Sequence, residues 1–420
     1  MTVLAAASFA TINNCAKKDP RDRRPRESRV AVLTATAYDA RLETLLLDGL
    51  KCFDLNVKGK RVLLKPNLVE SSATRPINTH PALIAAAAIA FRRLGARSVI
   101  VGEGPGNERD TRLILEESGT ASLLKDCELD FIDLNRDALV DCPVGAGYTG
   151  IDKFHLPKSL FEADFVVSMP KVKTHHWAGV TLSLKNMFGV LPGIAYGWPK
   201  NLFHWCGVDN SIVDIAATVP VHFVVADGIT AMEGNGPLLG SARPMHRLVL
   251  ADDPVAADAT ITRLMCFDPD RIPHLRECSR FLGNSAIGRI RQLGEPARSP
   301  ERGFAPAPAS APYRSIHQFP IHRREQRHER FFPFRFRSLA MMCCRSSRES
   351  RSQRILASLA AARFFCFFFG GPQRARATAC IARRRAVRET LAQRFCPPRR
   401  PPSLCSGLTS LFFAKLKLSG

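Results

Sequence analysis

The residues with most chemistry to offer lie in one stretch, Phe165 to Gly193, FVVSMPKVKTHHWAGVTLSLKNMFGVLPG. Phe165 to Met169 is an apolar run of the kind that fills a buried strand, and Pro170 interrupts it before a group of cations and imidazoles. If the chain stays extended beyond Pro170, then Lys171, Lys173 and His175 recur at period two and project from one face toward one ligand. Thr181 and Lys185, four apart, are neighbours on a helix and also on a strand, and Asn186 follows directly inside an otherwise apolar segment. Gly179, Gly189 and Gly193, with Pro192, permit the close backbone approaches that ligand sites use. The only tryptophans, Trp177, Trp198 and Trp205, fall beside these lysines as an aromatic wall, although core packing accounts for them equally well. For His80, His175 and His204, capping and packing compete with metal or acid-base roles.

The elements that must position these residues can be read from the pattern upstream. RVAVLTA is a β-branched strand, YDARLETLLLDGL has the helical spacing of Leu42, Leu45, Leu46 and Leu50, and KRVLLK returns to strand, which makes a βαβ unit. Thr79 is placed to cap a helix with Pro81 in its first turn, RSVIVG is the next strand, Asp110 to Lys125 the next helix, and LDFIDL another strand. Residues 136–160 read as a loop or a short antiparallel pair. VHFVVADG is a buried strand ending at Asp227, MHRLVLADDP a strand ending at Asp252 and Asp253, and Ala256 to Met265 a helix. The alternation predicts an α/β fold, a mostly parallel sheet flanked by helices.

Ligands of open α/β sheets bind outside the carboxyl ends of the strands, and here those ends are polar. They supply Lys65 and Asn67, then Glu103 and Gly104, then Lys171, Lys173 and His175, then Asp227, Glu233 and Asn235, with Asp252 as a fifth. The repetition points to one shared pocket. EGNGP at 233–237 adds a glycine turn whose N–H groups would form an anion nest, with an ordinary tight turn as the competing reading.

Composition removes other readings. The formal charge of +22 suggests nucleic acid until the chain is divided: residues 1–295 hold 35 basic and 33 acidic residues, and residues 296–420 hold 25 and 5. The excess belongs to the tail, so no basic groove is implied for the folded part. The 13 cysteines form no CxxC pair and match no zinc spacing, which predicts reduced thiols in the cytoplasm. The first twenty residues make a poor secretory signal and a weak transit peptide, and Leu83 to Phe91 is too short to span a bilayer, so no membrane association is expected. GEGPGN at 102–107 has Asn107 where the dinucleotide fingerprint needs glycine, and no phosphate loop, HExxH or GxSxG occurs.

KPNLV at 65–69, THP at 79–81, GEGP at 102–105, PKVKTH at 170–175, TLSLKNMFGVLPG at 181–193 and DGITAMEGNGP at 227–237, in this order, resemble the domain of unknown function 362 family over about residues 29–295. Some members of that family carry a ferredoxin-like module, but this chain lacks the cysteine runs to hold one, so no iron-sulfur cluster is expected. The resemblance stops near RQLGEP, Arg291 to Pro296, whereas this chain continues through FFPFRFR, FFCFFFGG and PPRRPP, which have neither helical nor strand period. The division is therefore a disordered leader over 1–28, the α/β domain over 29–295, and a disordered basic low-complexity C-terminal tail over 296–420 of the kind an altered reading frame would leave.

The resulting expectation is an enzyme that binds an anionic small molecule, with Lys171, Lys173, His175 and Lys185 as candidate catalytic residues. Lys65, Asn67, Glu103, Gly104, Thr181, Asn186 and Asn235 are the candidate substrate-binding residues, and Asp227 and Glu233 stand ready for a divalent cation or for proton transfer. The alternative is a non-catalytic binding or redox-partner protein whose lysines dock an acidic, ferredoxin-like protein. Nucleic acid ranks last.

Overall fold

Short β-branched runs and amphipathic segments alternate from residue 28 onward, and the side-chain period of each dictates the layer it enters. In the computed structural model, residues 19–308 are described, except 71, 73, 107–109, 198, 199 and 299. All belong to the first of the chain's two units, Met1–Arg324. The expectations for residues 1–18 and for the tail from 309 onward lie outside the described residues.

β1 (Ser28–Thr34) leads into α1 (Arg41–Lys51), whose Leu42, Leu46 and Leu50 share one buried face, and then into β2 (Arg61–Pro66). α2 (Pro81–Arg93), β3 (Ser98–Glu103), α3 (Thr111–Glu117), α4 (Thr120–Asp126) and β4 (Asp130–Asp133) continue the alternation. The single helix expected over 110–125 is two, because Gly119 adopts φ 73° between them. β5 (Leu139–Pro143) and β6 (Lys153–Pro157) form a separate antiparallel pair, followed by α5 (Lys158–Glu162).

β7 (Phe165–Met169), β8 (Lys171–His175) and β9 (Gly179–Thr181) come next, then α6 (Ser183–Asn186), α7 (Gly193–Tyr196), α8 (Asn201–Trp205) and α9 (Val208–Thr218). β10 (Phe223–Glu233), β11 (Ser241–Ala251), α10 (Pro254–Leu264), α11 (Pro273–Cys278) and β12 (Ile290–Gly294) complete the fold.

The sheet runs β12-β1-β11-β10-β7-β2-β3-β4, with β8 paired to β10 and β9 to β8. Pairs from β10 through β7, β2 and β3 to β4 are parallel, so the expected mostly parallel sheet with flanking helices is what the chain forms. Period two divides its side chains between two cores: Val62 and Leu64 join α1 and α2 on one face, and Leu63 joins the α9, α10 and α11 side on the other. Among the described residues no helix is long and apolar enough to cross a membrane.

Three local expectations are corrected. His80, not Thr79, is the N-cap of α2, its Nδ1 accepting from the Ala82 amide at 3.2 Å; Thr79 instead accepts from the Asn67 amide and donates to the Met169 carbonyl. β10 does not end at Asp227 but runs on to Glu233, with an irregular register between Gly228 and Thr230. β11 is antiparallel to both β1 and β10, so Asp252 lies at the opposite end of the sheet from Lys65 and Glu103, bonded to Arg29 at the start of β1.

Ordered chain also extends past both ends of 29–295. The Arg23 amide donates to the Phe281 carbonyl at 2.7 Å, and Phe304 is buried with its amide on the Met265 carbonyl at 3.0 Å.

Candidate functional site

β2, β3 and β7 end side by side, and β8 continues beyond them after Pro170, so residues distant in sequence meet above the sheet. At the end of β2, Lys65 is fully buried and donates to Glu103 Oε2 at 2.7 Å, to the Pro66 carbonyl at 3.0 Å and to Asn186 Oδ1 at 3.2 Å. Glu103 also accepts from the Leu68 and Gly104 amides at 3.1 and 2.8 Å. The Asn186 amide group donates back to the Lys65 carbonyl and to Ser168 Oγ, both at 3.1 Å, which ties α6 to the strand ends. Gly189 must be glycine here, since a Cβ would stand 2.1 Å from Glu103 Oε1 and 2.7 Å from Lys65 Nζ. Burial disfavours the Lys65 ammonium and Glu103 opposes that effect.

A second ion pair lies where β8 meets β10. Lys171 Nζ donates to Asp227 Oδ2 at 2.9 Å and to the Tyr38 hydroxyl at 2.8 Å, and Tyr38 donates to Asp227 Oδ1 at 2.7 Å. The His80 amide adds a bond to Asp227 Oδ2 at 2.9 Å, and the His80 ring stacks on Tyr38 at 3.7 Å. Burial, and then the Asp227 charge, push the Tyr38 hydroxyl far above its ordinary range, so it is a neutral donor.

Between these pairs lie cations with no carboxylate partner among the described residues. Lys173 is fully buried and donates to a single acceptor, the Ile77 carbonyl, at 2.7 Å. Burial, then the charges of Lys185 and Lys171, push its pKa well down. Lys200 is buried at φ 65° and donates to the Gly104 and Gly189 carbonyls at 2.9 and 3.3 Å; burial lowers it to about 7. Lys185 is half-buried on α6, with its Nζ 4.2 Å from the Phe188 ring centre; burial, then Lys65, lower it to about 8. Thr181, cross-strand neighbour of Lys173, has a buried hydroxyl with no hydrogen-bond partner, and so does the Asn67 side-chain oxygen.

Rings line the same region. His204 packs 5.4 Å from Phe188 and 5.2 Å from Trp177, which lies 4.7 Å from His176, which stacks 5.0 Å from His175. Burial, then the charge of Lys185, hold both His175 and His204 below the usual imidazole value, His204 at about 4. Of the expected tryptophan wall, Trp177 is present, Trp205 is largely exposed, and Trp198 lies outside the described residues.

Lys65, Asn67, Glu103 and Gly104 thus stand at or next to the ends of β2 and β3, Lys171, Lys173 and His175 along β8, Asp227 within β10 opposite Lys171, Thr181 at the end of β9, and Lys185 and Asn186 on α6. A break at Leu182 separates β9 from α6, so Thr181 and Lys185 do not share one element. Asn235 is exposed at its turn.

That turn forms no open nest: the Gly236 amide donates to the Gly234 carbonyl and the Gly234 amide to the Ala305 carbonyl, while the Gly236 carbonyl accepts from His176. Glu233 is committed to Arg302 and to the Ala305 amide. Asp227 is committed to Lys171 and Tyr38. Among the described residues no three His, Cys, Asp or Glu gather as metal ligands.

Sequence reasoning missed Lys200, Tyr38 and Asp258. Asp258 accepts from the Ser183 and Leu184 amides at 2.8 and 2.9 Å, fixing the start of α6 and hence Lys185; burial raises it to about 8. An ionisable residue within the apolar run of α10 was the available signal. Lys200 and Tyr38 carried none. A cavity of about 420 Å³ lined by Arg23, Leu184, Met187, Val219, Val255 and Leu282 includes none of the lysines.

Comparison with known proteins adds the family. The chain is 32% identical over 270 residues to a thylakoid-associated protein of Synechocystis sp., a match covering 60% of this chain and 79% of the relative. Among solved structures it is similar to a Thermotoga maritima protein from structural genomics, with a TM-score of 0.34, 16% identity and coverage of 48% of this chain and 53% of that one. It is also similar to the lactate racemase apoprotein from Thermoanaerobacterium thermosaccharolyticum, with a TM-score of 0.28, 13% identity and coverage of 54% and 56%. The chain therefore spans little more than half the length of either solved structure. Residues 62–263 match the family described as "Domain of unknown function (DUF362)", and together with the Synechocystis relative this makes the chain a member of the DUF362 family.

Proposed function

We propose that the chain is an enzyme that binds an anionic small molecule at the carboxyl ends of its parallel strands. One observation carries this reading. Five lysines, Lys65, Lys171, Lys173, Lys185 and Lys200, are buried or half-buried together, and two carboxylates, Glu103 and Asp227, are paired with the first two. Lys173, Lys185 and Lys200 have no carboxylate ion-pair partner among the described residues. Buried cations without counter-charge are costly, and a bound anion offsets that cost. The unpartnered Thr181 hydroxyl beside Lys173 supplies a further hydrogen-bond group.

The test is a thermal shift with oxalate and with inorganic phosphate. A ligand at one hundred times its dissociation constant adds about 2.7 kcal/mol, which for a domain of this size raises Tm by roughly 5 °C or more. Lys173→Met should abolish the shift and leave the unliganded protein as stable or more so, because it removes a buried cation that has no counter-charge. If Lys173 is merely a packing element, the same substitution lowers stability and neither ion moves Tm in the unsubstituted protein. That pair of results would overturn the proposal.

A further inference from the structure

We propose that Lys185 is a nucleophilic amine that forms an imine with a small anionic carbonyl compound, an α-keto acid or a carboxylate-bearing aldehyde, held in the lysine cluster. This rests on the anion-site reading above. Of the five lysines, Lys65 and Lys171 are locked in ion pairs, Lys173 donates to the Ile77 carbonyl, and Lys200 donates to two carbonyls. Lys185 alone has no hydrogen-bond or ion-pair partner among the described residues, and it is half-buried where the others are buried. The residue is therefore partly exposed and its amine uncommitted. The Phe188 ring lies against it at 4.2 Å, and α6 is fixed at its start by Asp258 and beside Lys185 by the Asn186 bonds, so the amine is held on a rigid base. Its pKa of about 8 leaves about one amine in ten neutral at pH 7.

The neighbouring imidazoles complement this amine. His175 Nδ1 accepts from the Trp177 and Ala178 amides at 3.0 and 3.1 Å, which places the proton of the neutral ring on Nε2. His204 Nδ1 faces the Lys200 carbonyl at 3.2 Å, an atom that can only accept, so its proton is on Nδ1 and Nε2 carries the lone pair. One ring is thus a donor and the other an acceptor.

In the step itself the neutral Lys185 nitrogen adds to the carbonyl carbon, and the carbonyl oxygen takes up a proton. The nitrogen loses one proton to give the neutral carbinolamine. Its hydroxyl takes up a second proton from solvent and leaves as water while the nitrogen gives up its second proton, so the C=N bond forms with two protons moved in all from nitrogen to the departing oxygen. No oxidant or reductant is required. Lys173, whose amine has a hydrogen-bond donor to spare beyond the Ile77 carbonyl, and the Thr181 hydroxyl bind the carboxylate.

The experiment treats the full chain at pH 7.5 with limiting glyoxylate and cyanoborohydride, which reduces each imine to a carboxymethyl amine, and maps the modified lysines by mass spectrometry. Lys185 should be labelled at least tenfold faster than the exposed Lys51 and Lys58, and oxalate should slow labelling at Lys185 while leaving the other two unchanged. Lys185→Arg, which removes the nucleophilic amine, should lose the fast site. Labelling of Lys185 no faster than Lys51, or labelling that oxalate does not slow, overturns the proposal. If oxalate stabilises the fold and Lys185 is not preferred, the imine falls and the anion site stands; if oxalate has no effect on either readout, both fall.

Discussion

Replacing Glu103 by glutamine removes the ion-pair partner that the buried Lys65 has among the described residues, while leaving volume and shape nearly unchanged. The carboxylate receives Lys65 Nζ at 2.7 Å and the Leu68 and Gly104 amides at 3.1 and 2.8 Å, with both partners of the pair inaccessible to water. It also moderates Lys173, Lys185 and Lys200, for each of which its charge favours the ammonium. Breaking a buried pair in this way costs about 3–5 kcal/mol, because one charge stays behind without compensation. At two to four degrees per kcal/mol for a domain of this size, Tm should fall by roughly 6–20 °C. Urea denaturation followed by tryptophan fluorescence gives the free energy, and the cycle with Lys65→Met identifies its origin. Glu103→Gln combined with Lys65→Met should recover about 2 kcal/mol or more relative to the sum of the single changes. A loss below about 1 kcal/mol for Glu103→Gln, or a cycle that closes additively, would refute the view that Lys65 and Glu103 form a coupled support beneath the site.

Two further outcomes follow from the same geometry. On the proposed reading an anion would be held by the ammonium forms of Lys185 and Lys200, whose values lie at about 8 and about 7. Below these values both of these amines are already protonated. Above them binding must take up protons, so affinity should fall as pH rises, by about tenfold per unit for each proton above pH 8. Calorimetry in buffers of different ionisation enthalpy reads the uptake directly, and a pH-independent affinity between 6 and 9 contradicts it. At the C-terminal side, Phe304 is buried, Arg302 pairs with Glu233, and the Ala305 amide bonds the same carboxylate. A chain ended at Pro296 should therefore be less stable than one ended at Pro308 by about 2–3 kcal/mol, the worth of burying one large aromatic side chain; equal urea midpoints would show that residues 297–308 contribute nothing.

Much of the scaffold was legible in the chain because side-chain period is a local property. Val30 to Val32, Val62 to Leu64 and Phe165 to Met169 read as strands, and Leu42, Leu46 and Leu50 as one helix face. The rule that α/β ligands gather at strand ends then named Lys65, Glu103, Lys171 and Lys173 before any pairing was known.

Strand direction is not local. VLADD reads alike in a parallel or an antiparallel strand, and only pairing with β1 and β10 sends Asp252 to the far end of the sheet. The same holds for partners: nothing in sequence distinguishes Glu103, which takes Lys65, from Glu233, which takes Arg302 and the Ala305 amide. Lys200 and Tyr38 enter the site through long-range packing that leaves no spacing signature. The residue types present were thus written in the chain, whereas which charge goes uncompensated was decided only when residues far apart in sequence came within hydrogen-bond reach.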